Sequence, residues 1–211
     1  MKLIGCAGQA RNGKDVTADH LASRLGWKRG AFASNVKRIF CSTFGVDYEF
    51  IEKWKTVHDV PEGFQMAVRQ GLQFIGDGFR QIKGDVWIDM LLRDRPDSLI
   101  ISDIRYVNEL RAVNERGGRN ILLYRPGFMN DDPNDSEAVM RKFVTHFLKI
   151  GREGVVRSEG DYGLVDFFIV NDGSVDDLLQ KIDDLVVPHL SLSEQASFDE
   201  KLMHRFLRAS S

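Results

Sequence analysis

Lys2-Leu3-Ile4-Gly5-Cys6-Ala7, then Gly8-Gln9-Ala10-Arg11-Asn12-Gly13-Lys14, then Asp15 to Leu25 is the stretch that decides the fold of this 211-residue chain. Lys2 to Ala7 is a short apolar run with strand character, the glycine-bounded segment after it is a loop, and Asp15 to Leu25 is a helix. The spacing Gly8-x-x-x-x-Gly13-Lys14 is the framework of a phosphate-binding loop, set here between a strand and a helix. Such a loop turns successive backbone N–H groups toward an anion, and the helix after it adds its unpartnered N–H groups and the positive end of its dipole. Gly8 and Gly13 permit close approach of backbone to phosphate. Lys14 places an ammonium against the outer phosphates of a nucleotide. The whole run Gly8, Gln9, Ala10, Arg11, Asn12, Gly13, Lys14, Asp15 and Val16 is therefore the expected nucleotide-binding segment. Gly-x-Gly-x-x-Gly is absent from the turn, which argues against a dinucleotide fold.

Asp15 stands where most such loops have the Ser or Thr whose hydroxyl meets Mg²⁺. A carboxylate can hold that hard cation directly or through water, or act only as a favourable charge in the first helical turn. Thr17 carries the missing hydroxyl, two residues further on.

Composition is that of an ordinary globular protein, with 43% hydrophobic and 28% charged residues. Its 29 basic and 31 acidic residues give a formal net charge of −2, so no bulk field favours nucleic acid or an anionic membrane. Two cysteines, Cys6 and Cys41, are too few for a disulfide framework or a thiolate metal site, and a reducing cytoplasm is the expected setting. Neither a signal segment nor an apolar run of membrane-spanning length is expected.

Further along, Trp27 to Ala33 reads as a second strand and Ser34-Asn35 as the start of a helix with Val36, Ile39, Phe40 and Phe44 inward. Lys37 on that helix is either a solvated charge or a contact for a substrate phosphate. Phe64 to Ile82 reads as a helix interrupted by Gly71, Gly76 and Gly78, and Trp87 to Leu92 as a short helix in which Trp87 is core or a ligand contact. Leu99-Ile100-Ile101 is a buried strand of a parallel sheet, with Asp103 at its carboxyl end, where open α/β sheets bind ligands. There Asp103 either organises Mg²⁺ or substrate or caps a helix. Arg105 reaches a substrate phosphate or pairs with Glu109. Asn120 to Tyr124 is another strand, ending near Arg125, a candidate phosphate contact. Glu137 to Leu148 is helical, and Gly151 to Gly163, with Arg152 and Arg157, reads as a mobile lid or a plain surface connection. Asp166 to Val170 is a strand, Asn171-Asp172-Gly173-Ser174 a turn that starts a helix, and Pro188 the end of the core. Ser191 to Ser211 reads as a terminal helix, whose apolar stripe suits either a homodimer contact or packing on its own domain.

Taken together, the Gly8-to-Asp15 loop with Thr17-Ala18-Asp19, Ser102-Asp103-Ile104-Arg105, Tyr124-Arg125-Pro126-Gly127 and Val170-Asn171-Asp172-Gly173-Ser174 resemble the bacteriophage deoxynucleoside monophosphate kinase family. Gly13-Lys14-Asp15 is itself a feature of that family. The resemblance implies a P-loop NTPase, nucleoside monophosphate kinase-like α/β fold, with a parallel sheet flanked by helices and a lid region. The core would span 1–187, with an acceptor-side helical insertion at 46–95 and a lid at 128–163, and a C-terminal extension at 188–211. The implied reaction moves the γ-phosphoryl group of ATP, with Mg²⁺, to a deoxynucleoside monophosphate in the host cytoplasm. Carried onto this chain, the resemblance gives Lys14 and the loop amides the donor phosphates, Gln73 and Arg80 the acceptor, and Asp15, Thr17 and Asp103 the metal. From their places in the chain, Lys14, Arg125, Arg152 and Arg157 are the candidates to serve the transferring group, and Lys37, Trp87, Asp103 and Arg105 join Gln73 and Arg80 as candidates to serve the acceptor. Two alternatives keep the same loop: a kinase of another small metabolite, and a nucleotide-gated interaction module using Asp47–Trp54 or the terminal helix.

Overall fold

The computed structural model describes residues 2–93, 97–128 and 135–190. Strand β1 (Lys2–Ala7) and helix α1 (Lys14–Leu25) bracket the glycine loop. Strands β2 (Lys28–Gly30), β3 (Ser98–Ile104), β4 (Arg119–Tyr124), β5 (Gly154–Val155) and β6 (Phe167–Val170) complete a sheet in the order β2-β3-β1-β4-β6-β5. Every neighbouring pair is parallel except β5 with β6. The chain leaves β1 toward β2 and β3 on one side and reaches β4 and β6 on the other. The strand order thus reverses at β1, and a crevice opens beyond its carboxyl end, where the glycine loop lies.

Both faces of the sheet are covered, which is why its strands read as nearly continuous apolar runs. Along β1, Leu3 and Ala7 join one buried cluster and Ile4 and Cys6 the other, as the two-residue period of a strand requires. One face packs α1 and α8 (Val175–Leu185) through Ala18, Leu21, Leu178 and Ile182. The other packs α2 (Phe32–Phe44), α5 (Val86–Leu92), α6 (Val107–Asn114) and α7 (Asp135–Ile150) through Phe32, Trp87, Leu110 and Phe147. A smaller cluster of Phe40, Ile51 and Val68 joins α2 to α3 (Tyr48–Trp54) and α4 (Val68–Ile82). No helix among the described residues is long and apolar enough to cross a membrane.

The structure departs from the sequence expectations where a distant group sets an element's end. Helix α2 begins at Phe32, before Ser34-Asn35, because the Asp103 carboxylate of β3 accepts the N–H groups of Phe32 and Ala33, each at 2.8 Å. That cap shortens β2 to Lys28–Gly30. Helix α4 starts at Val68 and runs unbroken through its glycines. Gly71 is needed there for packing, since a Cβ on it would stand 2.9 Å from the Phe40 ring. Gly151 to Gly163 is not a free cover: it supplies β5 at the sheet edge and the 3₁₀ turn Gly160–Leu164. The turn is anchored by stacking of Tyr162 on His146 of α7, at 3.9 Å, and by the Arg111–Asp161 ion pair. The core also runs past Pro188, to the buried Leu190. The terminal helix over 191–211, with the dimer contact placed on it, and the 129–134 part of the lid lie outside the described residues.

Trp87 is a core residue and not a ligand contact. It is 1% exposed, and its indole N–H donates to the Gly76 carbonyl at 3.0 Å, locking α5 against α4. Trp87→Ala should lower stability by roughly 3–5 kcal/mol in urea titration. Trp87→Phe should fold with a smaller loss, since it keeps most of the buried ring while giving up the bond to Gly76, and the difference between the two variants in the same titration checks the role.

Candidate functional site

The loop between β1 and α1 is built from positive backbone angles and buried side chains. Gly8, Arg11 and Gly13 have φ of 140°, 64° and 100°. A Cβ on Gly8 would stand 2.5 Å from the Leu123 carbonyl of β4, so glycine is demanded by contact as well as by φ. The same carbonyl accepts from the Asn12 side chain at 3.1 Å, and the Asn171 amide at the end of β6 reaches the Asn12 carbonyl at 3.4 Å. The loop is therefore fastened to β4 and β6 from below, leaving its amide edge toward the crevice. Lys14 opens α1 and curls back, donating from Nζ to the Gln9 carbonyl at 2.6 Å. Burial pushes its pKa down to about 8, and the Arg105 guanidinium acts in the same direction against Glu137, Asp15 and Asp103. An ammonium that is costly to keep charged without an anion beside it suits a phosphate site.

The three proposed metal residues are not equivalent. Asp15 is exposed and pairs with Arg29 of β2, which also holds Asp19. Thr17 is fully buried on the sheet side of α1, and its hydroxyl has no partner, so it is closed to an ion in the loop. Both Asp103 oxygens are engaged by α2. Among the described residues no group of three or more His, Cys, Asp or Glu side chains could hold a metal. The hard oxygens of Asp15 fit one position in a Mg²⁺ shell, provided phosphate oxygens and water fill the rest.

Beside the loop, a cleft of 360 Å³ opens between α2, α4 and the carboxyl end of β3. Phe32, Val36 and Leu72 give it an apolar wall, and Lys37, Lys55, Arg69, Arg80 and Arg105 bring cations to it. Of the residues expected to serve an acceptor, Lys37, Gln73, Arg80, Asp103 and Arg105 all line this cleft. The cations are held by specific partners. Lys37 meets Glu52 at 2.6 Å, and Arg80 lies 4.3 Å over the Tyr106 ring and 3.2 Å from Glu109. Burial pushes the Glu109 carboxyl up to about 7, although it accepts the backbone N–H groups of Arg105 and Tyr106. Arg105 does not pair with Glu109 through its guanidinium, which goes instead to Glu137 on α7 at 2.5 Å.

The remaining arginines are scattered. Arg125 follows β4 at the carboxyl edge and stacks on Phe128 at 4.4 Å, outside the lining of the cleft. Arg152 is exposed beside the outermost strand. Arg157 follows β5, which is antiparallel to β6 with Gly154 opposite Phe168 and Val155 opposite Phe167. It therefore lies toward the amino end of β6, opposite to the loop, and this placement removes it from the transferring group. Sequence inspection missed Glu137, whose Oε2 accepts the Ala10 N–H at 3.3 Å and whose carbonyl accepts from Gln9 Nε2 at 3.1 Å. It also missed Tyr106 and Ser136 in the cleft wall. No local signal marks them, because each matters only through the element it packs against.

The depressed Lys14 pKa has a measurable consequence. Below about pH 8 the ammonium is charged in the free protein; above it a bound anion must draw a proton back onto the amine. Affinity of the loop for a polyphosphate anion, with ATP as the probe, should therefore be full below pH 8 and fall as pH rises beyond it, with proton uptake on binding. Calorimetry near pH 8.5 in buffers of different ionisation enthalpy measures the uptake, and Lys14→Met should abolish it.

No family model matches the sequence. A putative deoxynucleotide monophosphate kinase of Acanthamoeba polyphaga mimivirus is 28% identical over 165 residues, covering 69% of this chain and 86% of that protein. An uncharacterized protein, ORF76, of Ictalurid herpesvirus 1 (strain Auburn) is 29% identical over 136 residues, covering 60% of this chain and 49% of its own length. Among solved structures, shikimate kinase from Acinetobacter baumannii in complex with shikimate aligns over 91% of this chain and 95% of that one, with 17% identity and a TM-score of 0.48. Dephospho-CoA kinase from Campylobacter jejuni aligns over 88% and 96%, with 14% identity and a TM-score of 0.42. By its strand order and its glycine loop at the head of α1, the chain has a P-loop NTPase fold of the nucleoside monophosphate kinase-like kind.

Proposed function

We propose that the protein is an ATP-dependent kinase of a small acceptor, and that the acceptor is a deoxynucleoside 5′-monophosphate. The observation that carries the kinase reading is the join between the two sites. Glu137 touches both the Ala10 amide of the phosphate loop and Arg105 of the cationic cleft, so the loop and the cleft share a border one side chain wide. A donor phosphate in the loop and an acceptor anion in the cleft would meet there. The nucleotide as acceptor is supported by the cleft's pairing of an apolar wall with several cations, which suits a base and a phosphate. It is supported also by the name of the mimivirus relative.

An acceptor phosphate oxygen is already anionic and needs no strong base. It attacks the γ-phosphorus in line, a P–O bond forms, and the bond to the β–γ bridging oxygen breaks with its electron pair leaving on ADP. Lys14 and the loop amides hold the donor phosphates. Arg80 and Arg105 hold the acceptor and align it, which is the larger part of the catalysis such a reaction asks of a protein. Mg²⁺, when bound, neutralises charge on the donor phosphates.

A panel of deoxynucleoside and ribonucleoside monophosphates and unrelated small metabolites, each with ATP and Mg²⁺, tests both levels of the proposal. Rapid formation of a deoxynucleoside diphosphate is expected. Conversion only of a non-nucleotide would replace the acceptor, and ATP binding without any conversion would replace the enzyme by a nucleotide-gated module. Lys14→Ala should lose roughly a hundredfold or more in kcat, at the level of removing one key charge stabiliser, while keeping its fold. Arg105→Ala should chiefly raise the KM of the acceptor.

A further inference from the structure

Glu137 is a carboxylate where the proposed reaction has use only for cations and amides. It sits in the first turn of α7, 3% exposed, between groups that otherwise serve anions. Its Oε1 accepts from Arg105 Nη1 at 2.5 Å and its Oε2 from the Ala10 N–H at 3.3 Å. Lys14, in the same field, turns to the Gln9 carbonyl, and that same residue's side chain is tied to the Glu137 carbonyl. A phosphoryl group in transit must touch the donor loop and the acceptor cleft at once. The point that does so here holds a carboxylate.

Resting on the kinase reading, we propose that Glu137 occupies the place of the terminal phosphoryl group of a bound nucleoside triphosphate, acting in the free protein as an internal competitor for that one phosphate. A carboxylate offers two oxygens and one negative charge, enough for one guanidinium N–H and one amide. A terminal phosphate offers three oxygens and more charge, so it engages Ala10, Lys14 and Arg105 together and drives the carboxylate out. The two bonds of Glu137 are unequal in the sense this exchange needs. The Arg105 contact is short for a charged pair, and the Ala10 contact is long for an N–H donor, so the loop side releases first. Because Glu137 is rooted in α7, its expulsion moves the start of that helix and frees Arg105 from the carboxylate, so that its guanidinium can bridge the terminal phosphate and the acceptor with separate N–H groups. Donor arrival is thereby coupled to assembly of the acceptor site. A nucleoside diphosphate, whose phosphates end short of this point, leaves the carboxylate in place.

Calorimetric titration of wild type, Glu137→Gln and Glu137→Ala with Mg²⁺ and either the β,γ-imido analogue of ATP or ADP tests this. Removal of the charge should tighten the triphosphate analogue about fivefold or more while ADP affinity stays within about twofold of wild type. Thermal unfolding accompanies each variant, and Glu137→Gln, which keeps the shape of the side chain and one of its two acceptor oxygens, decides the matter if Glu137→Ala does not fold. Unchanged or weakened binding of the analogue to folded Glu137→Gln overturns the proposal, as does an equal gain for ADP, which would mark a general loosening of the loop. Wild-type protein that binds neither nucleotide overturns the kinase reading and this inference with it. Wild-type protein that binds both, with no difference between them in the variants, overturns the role of Glu137 alone.

Discussion

The contact on which the rest of the site depends is the approach of the glycine loop to the Leu123 carbonyl of β4. A side chain at Gly8 would stand 2.5 Å from that oxygen, and Asn12 spends its amide on the same acceptor. The loop is thus pressed against the backbone of the neighbouring strand, and its free amides can face only outward, over the carboxyl end of β1. Fixing those dipoles before any ligand arrives is what allows a loop of neutral amides to favour a polyphosphate over water. Asn171, from the end of β6, closes the clasp, so three strands determine the shape of one turn.

The cleft beside the loop follows from a second use of the same edge. Asp103, at the end of β3, carries the first turn of α2, and α2 in turn forms a wall of the cleft through Phe32 and Val36. Glu109 does for Arg105 and Tyr106 what Asp103 does for α2, accepting backbone N–H groups at the start of α6 while its other oxygen holds Arg80. Carboxylates beside a site for anions are therefore not a contradiction. They organise the cations and the helix ends around the cleft, and their negative charge keeps those cations paired in the free protein.

The parts of this molecule readable from the chain alone are those whose physics is local. The loop is one, because glycine spacing, the following lysine and the strand-to-helix switch lie within a few residues of each other. The capped start of α8 is another: Ser174 accepts from the Asp177 N–H at 3.2 Å, as the turn before it promises. Asp103 was legible as a residue at a strand end, though which of its roles prevails was not, since the amides it caps lie 70 and 71 residues away. Gly151 to Gly163 stayed open between a lid and a surface connection, because glycine density marks flexible loops and tight edges alike. Only the pairing of β5 with β6 and the stacking of Tyr162 on His146 separate the two.

By itself, then, the order of residues determined that a strand, a glycine-bounded turn and a helix open the chain, and that buried strands end in polar residues. Those facts follow from side-chain period and backbone freedom, which are properties of short segments. The tertiary structure alone decided that Trp87 is core, that Arg157 points to the wrong end of the sheet, and that Glu137 reaches the loop from 127 residues away. Each depends on which elements lie side by side, and that is set by the burial of both sheet faces at once and by no single stretch of the chain.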